Sequence, residues 1–236
     1  FGEKTLNQDL FLRSLEMGKL AKSSLNKMSE QSKEILKFYS AGVNSFIKNN
    51  KDKLQFEFGA LDYEPEEWKP YHSVLIGKLI AFEMSFSFWS DYALSGIAMK
   101  IGRDRAKDFV PNDKESSIIT STDSISIMLP ELDSNFISSL ISDFGTGYTG
   151  SNSLAISYKN EKDKHTILAN DPHLPINLPS RWYQMHISSP NINVVGYAIP
   201  GNPSVIAGRN DSITWGITNF MADICDIYLV KKGKND

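Results

Sequence analysis

The sequence predicts an α+β fold, helical in front and β-rich behind, on three observations. Apolar residues recur at helical spacing up to about residue 110. After Gly150 the apolar period changes to two. Between these lies a run rich in Ser and Asp. The expected organisation is therefore a helical segment over 1–110, its end and a spacer over 111–150, and a β-rich segment over 151–236.

In the helical front, Leu12, Leu15, Leu20, Leu25, Met28, Ile35, Leu36, Phe38, Tyr39 and Phe46 return to one side of an amphipathic helix pair between Leu6 and Asn49. Ser29, just before "EQSKEILKFYSAGVNSFI", is placed to cap the second helix. Pro65 and Pro70 mark Phe58 to Ser73 as a connecting loop, and helix resumes at about Val74 and runs through Met99. The aromatic run Phe86, Phe88 and Trp89 reads as core. The back half offers seven strand-like pieces separated by Asn, Asp, Gly and Pro turns: "SNSLAISY", "HTILAND", "RWYQMHISS", "VVGYAIPG", "VIAGRND", "SITWGITN" and "DICDIYLV".

Composition narrows the function classes. Hydrophobic residues make up 41% and aromatics 11%, ample for a buried core, so the chain is not a disordered one. A net charge of -3 and the lack of any Lys/Arg stripe give no case for a nucleic-acid partner. One cysteine, Cys225, excludes an internal disulfide and a cysteine-rich zinc site. No apolar run approaches the ~20 residues of a membrane helix. The opening Phe1-Gly2-Glu3-Lys4 has neither a start methionine nor a signal-peptide pattern, so truncation at the N-terminus is expected.

Phosphate cradles, zincins and nucleophile elbows lack their motifs. What remains is Ser151, four histidines (His72, His165, His173 and His186) and several acids. In "GTGYTGSNSLAISYKN", a glycine-punctuated loop delivers Ser151 to the start of a strand. One reading is a plain turn. The other is cleavage at Gly150-Ser151, which would join a hydroxyl and an α-amine on one residue. An α-amine titrates near pKa ~8, so part of it is free base at neutral pH and can activate its own hydroxyl. Gly150, without a Cβ, would tolerate a strained backbone at the cut. His186 and Trp182 fall in a segment that alternates like a buried strand and are expected to be structural, whereas His72 and His165 are expected in solvated loops.

The order "GSNSLAIS", "ILANDPHLP", "RWYQMHI", "GYAIPGNPSVIAGRNDSITWGITN" and "ADICDIYLV" resembles the penicillin acylase family of N-terminal nucleophile hydrolases, across essentially all of 151–230. "YSAGVNSFI", "EPEEWKPYHSVLIGKLIAFEMS" and "MKIGRDRAKDFVP" are similar, more loosely, to the helical α-subunit of that family. The resemblance implies a fragment spanning the processing site, truncated at both ends, with an αββα core. It also implies α and β subunits from one precursor, a small-molecule amide as substrate, and a periplasmic or secreted protein. Ser151 would be the nucleophile, freed by cleavage after Gly150, and His173 would help manage protons. The backbone N–H of Asn219, next after the "WG-x-T" run, would stabilise the oxyanion. Leu174 and Ala207 would line the acyl site where phenylacetyl-directed relatives carry phenylalanine. Asp223, the Cys225 carbonyl and Asp226 would hold a structural calcium, with Asp91 or Glu83 as a further carboxylate; the plain alternative is two solvated acids at a strand start. No cofactor is expected for catalysis. Two rival functions stand beside this one: a family member that has lost catalysis and serves as a binding protein, and a serine amidase using an internal Ser-His pair without cleavage.

Overall fold

The computed structural model describes residues 5–85, 87–109, 150–157, 166–174, 176, 178–220 and 222–226. Helices and antiparallel sheets segregate along the chain, so the fold is α+β. The chain divides into two units: Phe1–Ile80 with Tyr148–Thr218, and Ala81–Gly147 with Asn219–Asp236. The spacer expected over 111–150 lies outside the described residues, apart from Gly150.

The first unit opens with α1 (Leu6–Ser14), α2 (Met17–Lys27) and α3 (Glu30–Asn49). Three helices thus stand where the apolar period predicts a pair, because Glu16 takes the left-handed conformation (φ 49°) and breaks the run. The cap expected at Ser29 is present: its hydroxyl accepts from the Ser32 N–H at 3.2 Å. The single apolar side is not. Leu36 and Ser40 are buried on α3, whereas Ile35, Phe38 and Phe46 are exposed, so this helix carries a second apolar stripe. Residues 35 and 36 are about 100° apart on a helix, too far to share one narrow face.

The expected loop over 58–73 is also shorter than predicted. A short helix α4 occupies Phe56–Ala60, and α5 runs over Pro70–Ser85. Pro70 is the first helical residue, a position whose N–H has no partner in the helix and where proline is at home. Proline therefore starts this helix rather than excluding it. His72 sits in its first turn, where its Nδ1 accepts from the Lys69 N–H at 3.1 Å and its ring packs edge-on against Trp68 and Tyr71. Burial, then the Lys69 charge, hold the His72 imidazole below its ordinary pKa. It is a helix-entry residue and not a solvated loop histidine. Asn44 on α3 fixes the preceding segment by accepting from the Trp68 N–H (2.8 Å) and donating to its carbonyl (2.9 Å).

Strands β1 (Gly150–Ser157) and β2 (Thr166–His173) form an antiparallel pair. β3 (Tyr183–Ser189), β4 (Ile192–Ala198), β5 (Ala207–Asn210) and β6 (Thr214–Trp215) form an antiparallel sheet in chain order. The β5–β6 turn is set by Asn210, whose side-chain oxygen accepts from the N–H groups of Ser212 and Ile213. In the β4–β5 connection Gly201 has φ 93° and donates its N–H to the Tyr39 hydroxyl at 3.1 Å. "RWYQMHI" forms β3 as expected but is not a buried strand. Tyr183 and His186 are exposed, and His186 bonds Asn193 across the hairpin at 2.9 Å.

The second unit takes in the later part of α5, then α6 (Ser87–Ile101), α7 (Arg103–Ala106) and the segment from Asn219. Phe82 is buried, with Phe88 at 6.1 Å and Trp89 packed edge-on against Phe88, but Phe88 and Trp89 are only half-buried, at the margin of the core expected there; Phe86 lies outside the described residues. The seventh strand is not seen. Residues 223–226 are irregular and the rest of "DICDIYLV" lies outside the described residues, leaving six strands among those described.

Candidate active site

Ser151 is the second residue of β1, and the ladder fixes what stands near it. Gly150 pairs with His173, Ser151 with Pro172, and Asn152 with Asp171. Directly paired residues share a face and successive residues alternate. Ser151 therefore projects to the face of Pro172, Asn170 and Leu168, and His173 with Asp171 to the other. The Ser151 hydroxyl donates to the Gly150 carbonyl oxygen at 2.7 Å, which lays it against the carbonyl of the bond that cleavage would break. Gly150 is in ordinary extended backbone as part of β1. Its φ is not in the left-handed region, and an added Cβ would meet only His173 Nδ1, at an ordinary 3.9 Å.

On the opposite face, His173 Nε2 and Asp171 Oδ2 are 2.9 Å apart, and the Asn152 amide reaches the same carboxylate oxygen at 3.4 Å. The bond from His173, then that from Asn152, hold Asp171 below the usual carboxylate range. His173 is thus an oriented imidazole at the end of β2, paired with Gly150 and not a partner of the Ser151 hydroxyl, and the turn expected over "NDPHLP" is strand through His173. His165 lies outside the described residues.

Leu168, Asn170 and Pro172, on the same ladder face as Ser151, line a cavity of about 560 Å³, within the size range of small-molecule sites; Ser151 itself is not among the lining residues. Leu168, Asn170 and Pro172 form one wall; Trp182, Tyr197, Ala207 and Trp215 are among those opposite. Ala207 is among its lining residues and Leu174 is not. Asn170 was invisible to motif reasoning. Its amide binds the Asn152 carbonyl and both backbone groups of Ile217, tying β1 to the "WGIT" run. An asparagine inside a strand pattern was the one available signal, since strands are depleted in that residue.

In the second unit Asn219 contributes through its side chain, whose amide donates to the Met84 carbonyl at 2.9 Å. Burial, then the charges of Asp223 and Asp226, push the Asp91 carboxyl above its usual pKa. Asp91 thus lies in the field of those two acids. Among the described residues, however, no three His, Cys, Asp or Glu side chains converge so as to hold a metal ion. Burial, then Asp226, Asp91 and Asp223, raise the Cys225 thiol, which keeps it protonated and weakly nucleophilic.

The family model for penicillin amidase matches residues 1–236. The chain belongs to the penicillin amidase family. Among its relatives, the acyl-homoserine lactone acylase QuiP of Pseudomonas aeruginosa is 28% identical over 97% of this chain, which covers 28% of that protein. The penicillin acylase 2 proenzyme of Pseudomonas sp. strain SE83 is 27% identical over 97% of the chain, covering 30% of the relative. The acyl-homoserine lactone acylase PvdQ of Pseudomonas savastanoi is 34% identical over a shorter stretch, 29% of the chain and 9% of the relative. This member of the penicillin amidase family thus spans less than a third of the length of these relatives. No solved structure matches it. No helix among the described residues is long and apolar enough to cross a membrane.

Proposed function

We propose that the complete protein is a linear-amide hydrolase whose nucleophile, Ser151, is freed as a new N-terminus by self-cleavage of the Gly150–Ser151 bond. The observation that carries this is the Ser151 hydroxyl lying 2.7 Å from the Gly150 carbonyl oxygen at the start of β1. In the cleavage, Ser151 Oγ attacks the Gly150 carbonyl carbon and the C–N bond breaks as its nitrogen takes the hydroxyl proton. Water then hydrolyses the resulting ester, leaving a Gly150 carboxylate and a free Ser151 amine and hydroxyl.

In the cleaved enzyme the α-amine serves as base for its own hydroxyl. Oγ attacks the substrate carbonyl, the departing amine takes the proton, and water hydrolyses the acyl-enzyme. The β1–β2 register supports the amine as base in preference to an internal Ser-His pair, since His173 and Ser151 lie on opposite faces. His173, held by Asp171, acts beside the scissile residue by orienting the Gly150 end of the bond. The Asn219 N–H is assigned to the oxyanion from the family pattern, and such a donor contributes ~3 kcal/mol to the barrier.

The relatives' names support an N-acyl amine as the substrate class, and Ala207 rather than a phenylalanine in the cavity lining supports an aliphatic acyl chain. The proenzyme among the relatives supports α and β subunits, 1–150 and 151 onward, from one precursor; a periplasmic or secreted location is proposed from the family resemblance alone. Calcium at Asp223, Cys225 and Asp226 is a proposal about stability only, because the acids do not form a chelating set as they stand.

The test is expression of the full-length precursor with Ser151→Ala. A single uncleaved chain is expected, while N-terminal sequencing of the wild-type β-chain should begin at Ser151. Normal processing of the alanine variant would overturn the proposal.

A further inference from the structure

We propose that Asn170 is a positioning residue for this reaction, clamping the "WGIT" run onto the nucleophile strand. The inference rests on the function proposed above and adds a residue to it. The Asn170 amide nitrogen donates to the Asn152 carbonyl at 2.8 Å, one residue beyond Ser151, and to the Ile217 carbonyl at 2.8 Å. Its oxygen accepts from the Ile217 N–H at 2.9 Å. Both amide protons are used, and both backbone groups of Ile217 are satisfied by one side chain.

A second feature of the sequence serves the same geometry. A Cβ at Gly216 would stand 2.7 Å from Asn170 Cβ and Cγ and 2.8 Å from its oxygen, closer than real contacts allow. Glycine at 216 is what lets the asparagine lie flat on the backbone there. Ile217 is two residues before Asn219 in the chain, so the clamp fixes the backbone leading to the assigned oxyanion donor. It also fixes the carbonyl that follows the nucleophile. Three bonds from a half-buried side chain to two separate backbones restrain a relative position, which side-chain volume alone does not.

The experiment compares Asn170→Ala, Asn170→Asp and Gly216→Ala in the full-length protein, with a fatty-acyl p-nitroanilide as probe. Aspartate keeps the shape and the acceptor but sets a carboxylate oxygen against two carbonyls where a donor stood. Asn170→Ala and Asn170→Asp are therefore both expected to lower kcat on the order of 10²-fold, with KM within about threefold of wild type. Amide exchange at Ile217, followed in a Ser151→Ala background, is expected to accelerate in Asn170→Ala, which removes the acceptor of that N–H. Gly216→Ala should reproduce the pattern from the opposite side, and it stands in should Asn170→Ala fail to fold. Wild-type kcat in Asn170→Asp would show that the residue only fills space, and unchanged Ile217 exchange would show that no clamp exists; either overturns the inference. A wild-type protein that neither cleaves itself nor hydrolyses the probe would instead sink the proposed function. Ile217 exchange still decides the clamp in that event.

Discussion

Gly201→Ala should weaken the joint between the β4–β5 connection and the helices of the first unit. Gly201 has φ 93°, where an L side chain costs about 1–2 kcal/mol. The new methyl would stand 3.0 Å from Ile76 Cγ1 and 3.2 and 3.3 Å from the Trp68 ring. Trp68 is held on both backbone sides by Asn44, so it cannot easily retreat. Forcing a methyl into a packed site adds about 1–3 kcal/mol, for a total of about 2–5 kcal/mol. That is a sizeable part of the ~5–15 kcal/mol that keeps a domain folded. The assay is thermal unfolding of the full-length protein in a Ser151→Ala background, so that cleavage does not confuse the transition. A fall in Tm of roughly 4 °C or more is expected. As a companion, Tyr39→Phe removes only the acceptor of the Gly201 N–H and should cost less, about 0.5–1.5 kcal/mol. A Gly201→Ala protein within about 1 °C of the parent would refute the packing argument, since strain and crowding point the same way.

Three further expectations follow from the same geometry. Ala207→Phe fills part of the 560 Å³ cavity and should cut kcat/KM for long aliphatic acyl amides on the order of tenfold more than for phenylacetyl amides; an equal loss on both would separate this cavity from the acyl site. Asp171 is depressed by His173 and Asn152, so its stabilising contribution is present above the ordinary carboxylate value of 3.8 and is lost as pH falls through the lower folded value. Asn152→Ala should move the Asp171 titration upward by NMR, and an unmoved titration would contradict the pairing. Asp91 has the opposite sign: its carboxyl is raised, so stability is full below 3.8 and is lost as pH rises through the folded value. Asp91→Asn should therefore raise Tm at neutral pH without calcium and give no gain below 3.8, whereas added calcium should favour wild type if that ion binds; a variant indifferent to both pH and calcium would count against the proposed cluster.

The sequence was most legible where one local rule decides the structure. Ser29 is a cap because its hydroxyl meets an orphan N–H three residues on, and both partners are visible in the chain. The β5–β6 hairpin was legible because Asn210 closes its own turn. Pro70 was misjudged because the same residue that ends one helix can begin the next, and only the backbone that follows distinguishes them. Face assignments fared worse. The apolar period of α3 does not say which of two stripes is covered, and in this chain Leu36 is buried while Phe38 is exposed. At the candidate site, motif order nominated Ser151, His173 and Ala207. Register then separated Ser151 from His173, because pairing across two strands is a property of the ladder and not of spacing along the chain. Asn170 was missed for the same reason: its partners lie 18 and 47 residues away.

A serine at the start of a strand is also a physically sensible place to break a chain. Each unit draws residues from both sides of the Gly150–Ser151 bond. In the first, the Tyr39 hydroxyl holds the Gly201 N–H across 162 residues of sequence. In the second, Asn219 holds the Met84 carbonyl, and the Ser87 hydroxyl accepts from the Ile224 N–H. None of these bonds involves Gly150 or Ser151. On the β1 side, the ladder from Asn152 onward and the Asn170 clamp do not depend on the peptide bond before Ser151 either. Hydrolysis there would release one new N-terminus at a fixed point on the sheet, beside the cavity face, without removing the contacts that keep the two pieces together. The same cut in the middle of β1 would leave the nucleophile on a frayed end, where the positional tolerance that catalysis needs is lost. The strand's first residues are therefore the place where freeing an amine and holding it still are compatible.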